Sequence, residues 1–228
     1  MEKNINLFSD KASLLLRALL TAPEGKRTVP SFVREGLSLG MASMAANQAE
    51  AAGYIEHVRR VSGESYCRLL RPELLLKDWT SVYSFQNNRR VTYVAREPKI
   101  LKTLGEFLGK KGVRHALTLF SASRLISPYV KDGRDFAYVN VHPQRAASLL
   151  REMEGSLGLV RAKHGWNLCL ASPLYKSSVF RDARLVRGRP VVSNLQLYLD
   201  LMGFPPLGRQ ELEENLLPLW REKGVPFV

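Results

Sequence analysis

Four aspartates, Asp132, Asp135, Asp182 and Asp200, are the only ones after residue 94, and metal-dependent chemistry would have to be built on them. A nuclease of the carboxylate type needs two or three acidic groups converging with a lysine, to hold Mg²⁺ and activate water. Asp135 precedes an alternating stretch, 136–141, but no acidic-x-Lys pair follows it. The sequence has no glycine-rich phosphate loop, no nucleophile elbow and no Gly-Ser followed by paired aspartates of the nucleotidyltransferase kind. The four histidines (His57, His115, His142 and His164) fall at no metal-ligand spacing. Cys67 and Cys169 are far apart in apolar, strand-like settings, which predicts two buried thiols rather than a disulfide or a zinc site. The expectation is a protein that is not an enzyme and needs neither metal nor cofactor.

The remaining chemistry is recognition of a polyanion. The chain of 228 residues is ordinary in its 45% hydrophobic and 24% charged content, but its formal charge is +13. Such an excess repels itself unless an anionic partner compensates it, and nucleic acid is the commonest one. A membrane surface is the rival. No apolar run approaches the roughly 20 residues that span a bilayer. The longest candidate, 14–20, is interrupted by Arg17. Glu2, Lys3 and Asp10 do not give the order of a signal peptide, so a cytoplasmic protein is expected.

Three helical stretches and a hairpin come first. Ser9 or Asp10 can cap a helix whose apolar stripe is Leu14, Leu15, Leu16, Leu19 and Leu20. Thr28 can cap a short helix with Pro30 in its first turn, and Phe32 and Val33 are available to its core. Gly36 can supply a left-handed turn, Leu37 can plug the core, and Ser38 can cap a helix from 39 to 52 that stops at Gly53. Tyr54, Ile55, Val58 and Val61 read as one strand, Ser62-Gly63-Glu64-Ser65 as a turn, and Tyr66, Cys67, Leu69 and Leu70 as the return strand.

Gly36-Leu37-Ser38, followed by Ala52-Gly53-Tyr54-Ile55, is similar to the turn, recognition helix and wing of many bacterial regulators. On that register Ala42, Ala46 and Ala49 face inward, where larger aliphatics are usual. Ser38, Leu39, Gly40, Met41, Ser43, Met44 and Asn47 face outward, towards a major groove. Asn47 and Ser43 can bond base edges, with Asn suited to adenine. Arg27 and Arg34 before the helix, with Lys26, and Arg59, Arg60 and Arg68 on the wing would hold phosphates. Residues 1–78 hold eleven Lys/Arg against nine Asp/Glu, a net of +2, so +11 lies downstream.

The composition changes over 79–96, where Gln86-Asn87-Asn88-Arg89-Arg90 is polar and turn-like, and the boundary is placed between Lys77 and Arg90. The expected division is a winged helix-turn-helix over 1–78, a linker over 79–93 and a basic mixed α/β domain over 94–228, an α+β protein as a whole. Within the second domain helices are predicted at 99–108, 121–126, 144–153, 194–201 and 208–217. Strands are predicted at 115–120 and 136–141, and 157–160 with 166–171 as a pair around Lys163-His164-Gly165. Arg181, Arg184, Arg187 and Arg189, with Lys176 before them, read either as a solvated loop or as phosphate or partner contacts. Lys110 and Lys111, with Arg114, form a weaker cluster of the same kind.

The most distinctive stretch is Val191-Val192-Ser193-Asn194-Leu195-Gln196-Leu197-Tyr198-Leu199-Asp200-Leu201, followed by Gly208-Arg209-Gln210-Glu211. It resembles the C-terminal signature of the AbiEi family, the antitoxins of type IV toxin–antitoxin systems. The matched positions are Gln196, Tyr198, Asp200 and Arg209; the stretches 117–122 and 182–188 fit the same kind of protein. The resemblance implies a winged helix joined to an antitoxin domain, repression of the protein's own operon through double-stranded DNA, and a nucleotidyltransferase-like toxin countered without required contact. The residues themselves suggest a structural part: Tyr198 and Leu199 in a core, and Asp200 paired with Arg209. The rivals are an enzyme or degenerate nuclease built around Asp132, Asp135 and Asp182, and a protein-binding adaptor whose alanine- and methionine-rich helix serves as a dimer face.

Overall fold

The computed structural model describes residues 5–59, 65–127, 129–130 and 132–227. The protein is mixed α and β and divides into two compact units, 1–83 with 220–228, and 84–219.

The first unit is helix, 3-10 turn, helix, hairpin and helix. Helix α1 (Ser13–Thr21) is buried along almost its whole length. Its cap position is Ala12 and carries no side-chain hydrogen bond, so neither Ser9 nor Asp10 caps it as expected. Arg17 lies within that buried run, its guanidinium carbon 5.2 Å from the centre of the Trp79 ring. A 3-10 turn, Val29–Glu35, begins at Thr28, whose hydroxyl accepts from Ser31 N over 3.3 Å. Gly36 ends it at φ 99°, a backbone region closed to most side chains. Ser38 then caps α2 (Leu39–Ala51) by accepting from Met41 N, and Gly53 follows at φ 74°. Strands β1 (Ile55–Val58) and β2 (Tyr66–Leu69) form an antiparallel hairpin, and Arg27 bridges to Cys67 alongside β2. The turn expected at Ser62-Gly63-Glu64-Ser65 lies largely outside the described residues, as do Arg60 and Val61. Helix α3 (Pro72–Val82) closes the element order before residue 83, with Leu75, Leu76 and Trp79 buried.

The second unit is one seven-stranded mixed sheet with helices on both faces. Its strands are β3 (Arg89–Val94), β4 (Arg114–Leu117), β5 (Asp135–Asn140), β6 (Val160–Arg161), β7 (Leu168–Ser172), β8 (Arg184–Val186) and β9 (Arg189–Val191), in the order β6-β3-β7-β5-β4-β9-β8. The helices are α4 (Ile100–Lys110), α5 (Leu119–Ile126), α6 (Pro143–Leu157), α7 (Asn194–Met202) and α8 (Leu207–Glu211). Alternation along β5 sends Phe136 and Tyr138 to one face, against Phe85. Val139 points to the other, where it lines a groove with Leu149 and Met153 of α6. After α8 the chain makes a π-helical turn, Leu212–Leu216, and ends in α9 (Leu217–Glu222).

Four expectations need correction. The stretch 79–93 is not a linker: it holds the end of α3, a 3-10 turn at Phe85–Asn87 and most of β3. Residues 220–228 belong with the first unit rather than with the C-terminal domain. The strands near 160 and 168 do not pair with each other, because β3 lies between them and bonds to both. The arginine-rich stretch after 181 is not a loop but the β8–β9 hairpin, turned by Arg187 and Gly188 at φ 49° and 74°. Positive φ at both turn residues is the geometry whose twist matches the strands it joins.

Candidate nucleic-acid interface

Helix α2 has two unlike faces. Ala42, Ala45, Ala46 and Ala49 are fully buried, and such small residues let the preceding 3-10 turn approach closely. Ser38, Leu39, Ser43 and Asn47 are exposed, and Met41 and Met44 are half-buried. Ser43 and Asn47 make no side-chain hydrogen bond among the described residues, so their polar atoms face solvent unspent. Two apolar groups nearby in sequence are exposed, Leu39 at the start of α2 at 57% and Val33 of the preceding 3-10 turn at 44%.

The flanking cations are less free than their sequence suggests. Arg59 makes a two-pronged pair with Glu50 of α2, at 2.7 and 3.1 Å. The hydrogen bond from Arg59 holds the Glu50 carboxyl below its usual range. Arg68 sits opposite Glu56 in the hairpin register and bonds it at 2.7 Å. Arg27 is half-buried, 3.4 Å from Glu35. Arg34 is exposed and carries no ion pair or hydrogen bond among the described residues, and Lys26 lies 5.1 Å above the Tyr66 ring. Exposed pairs of this kind contribute only about 0–1 kcal/mol, so a phosphate can replace the carboxylate at little cost.

The basic residues of the second unit are dispersed. Lys111 pairs with Glu152, while Lys110 and Lys176 are exposed. Arg181 lies 3.5 Å from Asp182, and Arg184 is held by Val192 O and the Asn194 side chain. Arg187 and Arg189 make no hydrogen bond or ion pair among the described residues. Arg114 stacks 4.9 Å over Phe180 and donates to its carbonyl at 2.9 Å.

The signature residues lie on α7 and α8 and do two different things. Asp200 and Gln196 are completely buried. The Asp200 carboxylate accepts from the Thr118 hydroxyl, from Tyr138 at 2.8 Å and from the Gln196 amide at 2.8 Å. Arg209, expected as its partner, is not among these donors and is exposed on α8. Tyr198 is half-buried, and burial raises its hydroxyl above the ordinary range. Thr118 owes its place to the β4–α5 turn, where Leu119 takes φ 45° and is fully buried. Asn88, whose polar stretch suggested a turn, is buried in this network: its amide donates to Phe85 O, and its oxygen accepts from Leu174 N, both at 2.8 Å. Nothing in its sequence setting marked that role.

The carboxylates of the enzymatic alternative are tied up in ion pairs. Asp135 is bound by Arg124 and by Ser121 at 3.1 Å, with burial pushing its carboxyl up. Asp132 pairs with Arg134 at 2.6 Å. Among the described residues no group of three His, Cys, Asp or Glu could hold a metal ion. Cys67 and Cys169 are buried free thiols, both pushed up to about 11 by burial. No helix among the described residues is long and apolar enough to cross a membrane.

Comparison of the chain with protein-family models, with curated proteins and with solved structures finds no match in any of the three. The likeness to AbiEi antitoxins rests on the residues quoted for it.

Proposed function

We propose that this protein is a sequence-specific DNA-binding regulator whose first unit acts as a winged helix-turn-helix. The observation that carries this reading is the two-faced α2, capped by Ser38, packed by alanines, and presenting Ser43 and Asn47 unbonded to solvent. The order of 3-10 turn, Gly36 turn, α2 and hairpin fits a recognition helix followed by a wing. Asn47 and Ser43 read base edges, Met41, Met44 and Leu39 pack on thymine methyls, and Arg34 anchors a phosphate. The +13 charge supplies the sequence-independent part of the affinity. The AbiEi resemblance adds the expected target, the promoter of the protein's own operon, and a nucleotidyltransferase-like toxin as functional counterpart. The test is fluorescence anisotropy with the duplex upstream of its gene against a scrambled duplex. A preference of at least about a hundredfold supports the reading, since specific binding commonly exceeds non-specific by 10³ or more. Equal affinities would contradict it.

A second reading has its own observation. Leu39 of α2 and Val33 of the preceding 3-10 turn are exposed apolar groups, and Arg59 and Arg68 already have carboxylate partners. This combination suits a face that docks a protein, including a second copy of this chain. Sedimentation of the DNA-free protein separates the two: a dimer abolished by Leu39→Asp favours the adaptor.

A further inference from the structure

Between α4 and the β8–β9 hairpin lies a cleft of about 500 Å³. That is the size of sites that hold small molecules, roughly 300–1,000 Å³. Its charged lining is Lys102, Arg187 and Arg189 against Glu106, a balance of +2. Lys102 and Glu106 stand 3.8 Å apart on one helix face, so the two arginines carry the excess. Neither makes an ion pair or a hydrogen bond among the described residues. Asp135 is the carboxylate on which the charge of Arg189 acts, and its own hydrogen bonds come from Arg124 and Ser121.

Two local choices run against ordinary preference. Arg187 takes φ 49°, a conformation that glycine or asparagine adopts at less cost. Gly105 stands inside α4, where alanine would favour the helix. A Cβ there would meet nothing closer than 3.5 Å, so tight packing does not require glycine. The atom at that distance is His115 Nε2. Because Val113 O can only accept, His115 Nδ1, 3.0 Å away, donates to it; when the ring is neutral, Nε2 is then an acceptor, and it faces the space that Gly105 leaves open. Leu101, Leu117 and Pro190 complete the cleft with apolar surface.

We propose that this cleft binds a phosphate group, with Arg187 and Arg189 holding its oxygens and His115 Nε2 accepting a hydroxyl of the same molecule. The dimensions and apolar lining suit a mononucleotide; a nucleic-acid backbone offers the same group. The inference does not depend on the part assigned to α2.

The experiment is calorimetric titration of the full chain with adenosine monophosphate, with inorganic pyrophosphate, and with a short duplex of random sequence. Saturable binding of adenosine monophosphate is expected, weakened about tenfold or more by Arg187→Gln and by Arg189→Gln, since each removes a charge-assisted contact. Lys223→Gln removes the same charge outside the cleft and serves as the comparison. Gly105→Ala is expected to keep or raise the melting temperature while weakening the nucleotide, which separates occlusion from misfolding. Displacement of pyrophosphate by the duplex, weakened by the same two arginine variants, identifies a nucleic-acid backbone as the source of the phosphate. Absence of binding by all three probes, or arginine variants that weaken binding no more than Lys223→Gln, overturns the proposal.

Discussion

Tyr138 donates its phenolic hydroxyl to the Asp200 carboxylate over 2.8 Å, joining the middle of the sheet to α7 where neither group reaches solvent. A buried carboxylate is tolerated only when donors satisfy it, and the donors to Asp200 include Thr118, Tyr138 and Gln196, each a neutral side chain. Tyr138→Phe keeps the ring contacts and deletes one donor. Chemical denaturation is expected to show a loss of about 1–3 kcal/mol, the cost of leaving a buried polar group short of a partner. A loss within 0.5 kcal/mol, about what a surface change gives, would contradict the network.

Gly208, in the Gly-Arg pair of the signature, is a packing requirement. A Cβ there would stand 2.2 Å from the Leu201 carbonyl oxygen, backbone that cannot step aside cheaply. Gly208→Ala is expected to destabilise by about 1–3 kcal/mol or more, as overpacking does. Gly109→Ala is the contrast: a Cβ there meets nothing within 4 Å, so the helix should gain up to about 1 kcal/mol. Equal effects on the melting temperature would refute the argument.

Glu211 on α8 is buried, and burial lifts its carboxyl above the ordinary range, although Asn215 donates to it at 2.9 Å. In the unfolded chain the same group ionises at lower pH. Between the two values the folded state holds the extra proton, so stability falls as pH rises through that window and stays lower above it. Glu211→Gln removes the ionisation. The variant is expected to be more stable than the native protein at neutral pH, with the gain fading as pH drops into the carboxylate range. A gain independent of pH, or a loss at neutral pH, would show that desolvation is not the dominant cause.

Much of the first unit was legible because its signals are local. Thr28, Gly36, Ser38 and Gly53 are caps and turn residues whose chemistry acts within three or four positions, and each sits where such chemistry puts it. Ala42, Ala46 and Ala49 face inward as the turn, helix and wing register implied, whereas the burial of Ala45 was not foreseen. The second unit was read less well because its arrangement is set by partners distant in sequence. β3 inserts between β6 and β7, which no turn signal announces. Likewise the fate of Asp200 depends on Thr118 and Tyr138, far away in sequence, whereas sequence proximity suggested Arg209. The β8–β9 hairpin could have been found: Arg187-Gly188 is a two-residue turn between Leu185-Val186 and Arg189-Pro190-Val191, obscured by its arginines.

Arg59 is held by Glu50, a residue of α2 itself. If the hairpin arginines hold phosphates, freeing Arg59 should strengthen binding to any duplex. Glu50→Gln is expected to tighten affinity several-fold and to steepen the dependence of log K on log salt by about 0.9, the value of one added phosphate contact. An unchanged slope, measured by anisotropy across a salt series, would remove Arg59 from the interface.

The most direct test of the account is the specificity of the double variant Ser43→Ala with Asn47→Ala. Affinities for the upstream duplex and for its scrambled counterpart are measured side by side, at one salt concentration, for the native protein and the variant. Both substituted side chains are exposed on α2, so the fold should persist, as a melting curve can verify. If α2 reads the bases, the variant loses at least about tenfold in its preference for the upstream duplex, as missing base contacts of about 1–3 kcal/mol each imply, while its scrambled-duplex affinity stays the same. A preference unchanged from that of the native protein would contradict the assignment of α2 as the element that reads DNA.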